Sequence, residues 1–457
     1  MKVRSIIEPF KIKMVEPLHF HSPKYREEVL KEAGYNLFLI KSEDVTFDFL
    51  TDSGTTAMSA EQWSSMITAD ESYAGSKSFQ KFKKAINEIM GYSFVIPTHQ
   101  GRAAERIFFG HLVKEHHKIP SNNHFDTTRA NIEFLKGQAV DLVIEEGKDP
   151  NSLHPFKGNI DLDKLEKFCE EHYQQIPFGM ITITNNTGGG QPVSLENLKR
   201  VSSIYKKYGI PFIIDACRFA ENAYFIKLRE KGQGERSVKE IVSEIFSLAD
   251  GCLMSAKKDA LVNIGGFIAL KNDQWMDDLR NILILTEGFP TYGGLAARDL
   301  AAMAVGLYEV LDENYLSYRL ATTQYMVSRL NEIGVPTMLP AGGHAVYIDA
   351  LAFLDHIPPQ EFPGQSLAVE LYRYEGIRSC EIGSAMFGKN QNGQFIPASM
   401  ELVRLAFPRR VYTQSHFDYI IEGFEELANR KREFRGMRMI YEPPFLRHFT
   451  ARFESLK

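Results

Sequence analysis

Two stretches of this chain carry residue types that can do chemistry together. Residues 210–214 form an apolar run that ends in Asp215, followed by Ala216, Cys217 and Arg218. Downstream, Met254-Ser255-Ala256-Lys257-Lys258-Asp259 sets a serine before a lysine pair, and Gly265-Gly266 follows. Taken singly, these are a buried strand ending in a helix-capping Asp and a solvated pair of lysines. Taken in this order, they are what pyridoxal phosphate needs. A lysine amine condenses with the cofactor aldehyde. A carboxylate keeps the pyridine nitrogen protonated, so that the ring accepts electrons from a carbanion.

Other residues extend the pattern. His99-Gln100-Gly101-Arg102 lies where a strand gives way to a helix. Backbone amides at such a junction, with a cation, can hold a phosphate. Ser255 can add a hydroxyl and Lys257 a charge. Asn186, in the permissive loop Asn185-Asn186-Thr187-Gly188-Gly189-Gly190, and Arg218 can both reach the cofactor's phenolic oxygen. Arg404 sits inside the apolar run Leu402-Val403-Arg404-Leu405. A buried arginine seeks a bidentate acid, which is either an internal salt-bridge partner or a substrate α-carboxylate. Tyr73, in a glycine-bearing loop, can donate a proton to a leaving group.

The elements that must position these groups can be read from the pattern. Short strands are expected at 94–97, 139–143, 179–184 and 210–215, alternating with helices at 101–113, 162–172, 195–208 and 238–248. Such alternation predicts a mostly parallel sheet covered by helices, with its site at the carboxyl ends of the strands. Towards the C-terminus, one long helical region at 300–333, strands at 345–348 and 402–407, and helices at 367–374 and 416–429 predict a smaller α+β domain. The expected organisation is an N-terminal arm at 1–20, a small domain built from 21–57 and 313–457, and a large cofactor-binding domain at 58–312.

Composition excludes several classes. The 457 residues exceed one ordinary core, and 44% hydrophobic with 24% charged residues is a globular balance. A net charge of −5 gives no reason to expect nucleic acid or an anionic membrane as partner. Neither a signal-peptide core nor a membrane-spanning apolar run is present, and the four cysteines show no metal-ligand spacing. A cytoplasmic protein with reduced thiols is expected.

Nearly the whole chain resembles the β-eliminating lyases of aromatic amino acids. The motifs that carry the resemblance include Leu50-Thr51-Asp52-Ser53-Gly54-Thr55, Pro97-Thr98-His99-Gln100-Gly101-Arg102, Gly189-Gly190-Gln191-Pro192-Val193-Ser194, Met254-Ser255-Ala256-Lys257-Lys258-Asp259 and Pro290-Thr291-Tyr292-Gly293-Gly294-Leu295. The resemblance implies a homotetramer of the aspartate-aminotransferase-like fold (fold type I of the pyridoxal phosphate enzymes), whose large domain carries a mostly parallel sheet of the seven-stranded type. It implies Lys258 as the Schiff-base lysine, Asp215 on the pyridine nitrogen and Phe125 stacked on the ring. Gln100, Gly101, Arg102 and Ser255 then hold the phosphate beside Lys257, and Asn186 and Arg218 contact the phenolic oxygen. Arg404, Thr51, Ser53 and Asn186 hold the substrate carboxylate, and Tyr73 acts across a subunit interface. Potassium is expected on the carbonyls of Gly54 and Asn263 and on Glu71 of the partner subunit.

Three positions divide the family's branches. Phenol-releasing members carry arginine, threonine and phenylalanine where this chain has Ile382, Asp126 and His448. An apolar Ile382, with Phe449 near His448, suits a flat indole better than a phenol hydroxyl. Asp126 can accept from the indole N–H, and His448 can orient a water or Tyr73. The expected reaction is therefore elimination of indole from L-tryptophan, leaving pyruvate and ammonia. Tyr73, Asp126 and His448 are all candidates to protonate indole C3. Alternatives are elimination from tyrosine or from a substituted cysteine or serine, and transamination. Asn122-Asn123-His124 and Arg129-Ala130-Asn131 differ from the aromatic-rich version common in the indole-releasing branch.

Overall fold

A computed structural model describes residues 6–389, 393–443 and 446–456. It divides into two compact units: a larger one of Ser53–Gly147 and His154–Ser317, and a smaller one of Met1–Asp52, Lys148–Leu153 and Tyr318–Lys457.

The larger unit is built on seven strands: β1 (Phe94–Thr98), β2 (Lys118–Ser121), β3 (Gln138–Asp141), β4 (Gly179–Thr182), β5 (Phe212–Asp215), β6 (Gly251–Ser255) and β7 (Gly266–Leu270). Five of them form one sheet in the order β1-β7-β6-β5-β4, and only β7 runs against the rest. The expected mostly parallel sheet is present, but its seven strands do not share one ladder: β2 and β3 pair separately. Asn122 explains the break. Its side-chain amide donates to the Thr182 carbonyl (3.0 Å) and accepts from the Thr182 N–H (2.9 Å), replacing a ladder between β2 and β4 with one side chain. β4, β5, β6 and β7 are buried at every position, as strands covered on both faces must be. The apolar cover includes Ile107, Phe108 and Phe109 from the helix Gly101–Leu112.

Glycine brings two loops together at the strand ends. A Cβ on Gly101 would lie 2.5 Å from the Ser255 Cβ, and one on Gly266 would lie 2.5 Å from the Gln100 carbonyl carbon. Only glycine permits this approach, which seats the first turn of Gly101–Leu112 directly on the end of β6.

In the smaller unit, β8 (Ala345–Asp349), β9 (Cys380–Ile382) and β10 (Leu402–Ala406) form an antiparallel sheet in the order β9-β10-β8. The helices Pro363–Glu375 and Gln414–Arg430 contribute Leu367, Leu371, Ile420 and Phe424 to its core. The single helical region expected at 300–333 is instead two helices, Ala297–Glu309 and Glu313–Glu332. Asp312 separates them, its carboxylate accepting from the Asn314 N–H (2.9 Å) as an N-terminal cap does. The expected arm at 1–20 lies partly outside the described residues. From 6 to 22 the backbone is irregular, with Ile7, Met14 and Val15 exposed, until Ser22 caps the helix Pro23–Glu32. Among the described residues, no helix is long and apolar enough to cross a membrane.

Candidate active site

Asp215 ends β5, and its carboxylate accepts from the Cys217 N–H at 3.4 Å. The Cys217 sulfur accepts from the Ser255 N–H (3.4 Å), tying the ends of β5 and β6. Burial pushes the Cys217 thiol up to about 12, with Asp215 reinforcing and Lys258 opposing the shift. Asp215 and Lys258 therefore both act on one half-buried thiol. The turn holding Lys258 is fixed by its neighbour: the buried Asp259 carboxylate accepts from the Ala220 N–H (2.9 Å) in the first turn of Phe219–Arg229. Arg218 immediately precedes that helix and is buried. Its N–H donates to the Ile183 carbonyl (3.2 Å), which brings it beside the chain that enters the Asn186 loop. That loop closes through the Asn185 N–H on Gln191 (2.8 Å) and the Gly190 N–H on Asn185 (2.8 Å), with Asn186 buried inside it.

The phosphate-type residues converge on a positive pocket. Gln100 is the extended residue before Gly101–Leu112; its carbonyl accepts from the Ala103 and Ala104 amides, which leaves those of Gly101 and Arg102 ahead of the helix's own ladder. Burial holds the Lys257 ammonium below its usual range, and Lys258 and Arg102 depress it further. Three cations crowded at a helix N-terminus, beside the Ser255 hydroxyl, suit a phosphate dianion.

Phe125 precedes the helix Asp126–Phe134, and Asp126 is its first residue, not its cap. The Asp126 carboxylate accepts from the Thr127 N–H (2.6 Å). Behind it, Glu105 accepts hydrogen bonds from the side chains of Thr128, Thr127 and Asn131. The preceding residue, His124, is held by Asp141, which accepts from both its backbone N–H (2.9 Å) and its ring (2.7 Å).

In the smaller unit, Arg404 lies in β10, opposite Tyr347 and Cys380, and its guanidinium donates to the Leu50 carbonyl (3.0 Å). Two residues past Leu50, Asp52 forms a fully buried ion pair with Arg409 at 2.8 Å. Thr51 is thus bracketed by two arginine-held positions. Ile382 is buried in a cluster that includes Phe38, Leu402, Met386 and Phe387. Phe38 also packs on His448 (5.7 Å between ring centres) and Phe449 (4.9 Å). Phe38, a residue the sequence pattern does not single out, thus packs on His448, on Phe449 and on the cluster that contains Ile382.

Tyr73 stands apart from the Lys258 cluster. It is 69% exposed and packs against Phe289 and Tyr292, and a hydrogen bond with Tyr292 raises its pKa. Gly54 and Asn263 do meet: the Asn263 side chain donates to the carbonyls of Gly54 and Thr56, both at 3.0 Å. Glu71 is elsewhere in the same chain, accepting from the Ala297 N–H at 3.1 Å. Ser53 begins the larger unit, one residue before Gly54. Among the described residues, no cluster of three or more His, Cys, Asp or Glu side chains is arranged to hold a metal.

The family model described as β-eliminating lyase matches residues 48–422. The chain is 59% identical to a tryptophanase of Rhodobacter capsulatus, over 99% of this chain and 100% of that protein. It is 48% identical to a tyrosine phenol-lyase of Symbiobacterium thermophilum, over 98% of each. Among solved structures, an aspartate aminotransferase of Thermotoga maritima superposes with a TM-score of 0.60 at 12% identity, covering 89% of this chain and 95% of that one. At that identity the likeness shows the fold alone, which is the aspartate-aminotransferase-like α/β fold.

Proposed function

The chain belongs to the β-eliminating lyase family, and we propose that it converts L-tryptophan to indole, pyruvate and ammonia with pyridoxal phosphate as cofactor. The observation that carries the reading is the positive pocket of Lys257, Lys258 and Arg102 at a helix start, in the unit where Asp215 and Lys258 both act on Cys217. Its donors match a phosphate ester and its carboxylate matches a pyridinium. When bound, the cofactor supplies an electron sink conjugated to the substrate α-carbon.

The residues divide the remaining work. Gln100, Gly101, Arg102, Ser255 and Lys257 hold the phosphate, Phe125 covers the ring, and Asn186 and Arg218 contact its phenolic oxygen. Lys258 would hold the cofactor, and its amine, when free, would take the α-proton. Asp215 keeps the ring nitrogen protonated. Arg404, with Thr51, Ser53 and Asn186, binds the substrate carboxylate. Indole leaves only after C3 is protonated, and Tyr73, Asp126 and His448 are the candidate acids. A potassium ion on the Gly54 and Asn263 carbonyls and on Glu71 of the partner subunit, within a cytoplasmic homotetramer, completes the reading. The close approach of the Asn263 carbonyl oxygen to Gly54, 2.9 Å from where a Cβ would lie, supports the first two ligands.

The 48% identity to a tyrosine phenol-lyase keeps phenol release as the second reading. Ile382 decides between them, because an apolar side chain cannot pair with a phenol hydroxyl. The purified protein should release indole from L-tryptophan and little phenol from L-tyrosine. Ile382→Arg should lower kcat/KM for tryptophan by about tenfold or more, as burying an unpaired charge against an apolar ring costs over a kilocalorie. Equal turnover of both amino acids by the unaltered protein would refute the assignment.

A further inference from the structure

Glu105 is unused by the reaction outlined above, yet it stands where two parts of the proposed cofactor site meet. It lies one turn into Gly101–Leu112, the helix whose start forms the positive pocket. Its carboxylate accepts from the hydroxyl of Thr128, from the hydroxyl of Thr127 (3.4 Å) and from the amide of Asn131 (3.2 Å). All three donors belong to Asp126–Phe134, the helix that Phe125 precedes and Asp126 begins. One side chain thus fastens the phosphate-side helix to the ring-side helix.

We propose that Glu105 is a positioning residue for the cofactor: it fixes Phe125 and Asp126 relative to the phosphate pocket, and its charge biases the protonation of the ring nitrogen through Asp215. The proposal rests on the cofactor reading of the site. The charged groups acting on Glu105 are Asp215, at the end of β5, and Asp126, on the helix it grips; both repel its ionised form, while its hydrogen-bond donors are neutral. Burial, reinforced by these two carboxylates, pushes the Glu105 carboxyl up to about 7. Near neutrality it is therefore divided between a neutral form and an anion. The anion strengthens the negative field around Asp215, which favours a proton on the ring nitrogen beside it.

The test uses the full-length protein with pyridoxal phosphate and two variants, Glu105→Gln and Glu105→Ala. Cofactor affinity is measured by absorbance titration, and the spectrum of bound cofactor is followed between about pH 6 and 8, bracketing the carboxyl's own transition. Glu105→Ala loses the fastening and should weaken cofactor binding about tenfold, the scale of a lost charged hydrogen bond. Glu105→Gln keeps a polar partner and should bind to within about threefold of the unaltered protein, the loss of one neutral-scale hydrogen bond at most. It should nevertheless lose the spectral transition near neutral pH. Circular dichroism of the cofactor-free variants confirms that they fold; if the Ala variant does not, the Gln variant decides alone. A transition that Glu105→Gln retains, an unaltered protein with no transition in that range, or full cofactor affinity in a folded Ala variant overturns the proposal. Failure of the unaltered protein to take up pyridoxal phosphate overturns the site assignment itself, and this proposal with it.

Discussion

At the scale of single residues, the site is organised by charge. Lys257 is depressed by burial and by Lys258 and Arg102, so it gains an anion's field when a phosphate enters. Inorganic phosphate should therefore stabilise the cofactor-free protein. At saturating phosphate, about 100 times Kd, the gain approaches 2.7 kcal/mol, or several degrees in melting temperature. Melting in phosphate against chloride at equal ionic strength checks it, and Arg102→Ala should remove most of the difference; no shift in the unaltered protein would contradict the phosphate assignment. Asp215 was legible in the sequence because it ends an apolar run, and the lysine pair because a serine precedes it and a glycine pair follows. Glu105 was not. Its partners Thr127, Thr128 and Asn131 lie over twenty residues away, so in sequence it reads as an ordinary helical charge. Phe38 escaped for the same reason: it packs both on the cluster that holds Ile382 and on His448.

At the scale of elements, much of the alternation was readable, and helix 162–172 falls where the spacing predicts it. Strands β2, β6 and β7 were less visible. β6 and β7 each begin with glycine, and β2 is only four residues long and contains a proline, so the apolar signal is short. Two buried acids give element-level tests. Asp52 and Arg409 pair at 2.8 Å with almost no exposure. Asp52→Ala leaves Arg409 buried without its counter-charge and should cost about 3–5 kcal/mol in urea unfolding; a loss below about 1 kcal/mol, the scale of exposed pairs, would show that the pair is solvated. Glu381, on β9, is pushed by burial and by Glu401 up to about 8. Because its folded pKa exceeds the unfolded value, its contribution is fully present at acid pH. That contribution is lost as pH rises through the folded value. Glu381→Gln should accordingly lose less stability than the unaltered protein between pH 5 and 9, across the interval between the unfolded value of about 4.3 and the folded one. Parallel stability–pH curves would contradict the placement of this carboxyl.

At the scale of the whole molecule, the sequence pattern anticipated the α/β class and a mostly parallel sheet but not the separation of β2 and β3 from the main ladder. That separation depends on Asn122 bonding to Thr182, sixty residues away, which no local pattern announces. The division into units also follows long-range contacts, with 148–153 joining the smaller unit although its flanks belong to the larger. The central claim is that this fold eliminates indole from tryptophan without consuming a second substrate. The most direct measurement incubates the purified protein with pyridoxal phosphate, potassium and L-tryptophan, with no keto acid, and assays indole and pyruvate together. The account predicts sustained release of both in equal amounts, with neither formed by Lys258→Ala. Turnover that requires a keto acid, or pyruvate formed without indole, would contradict it.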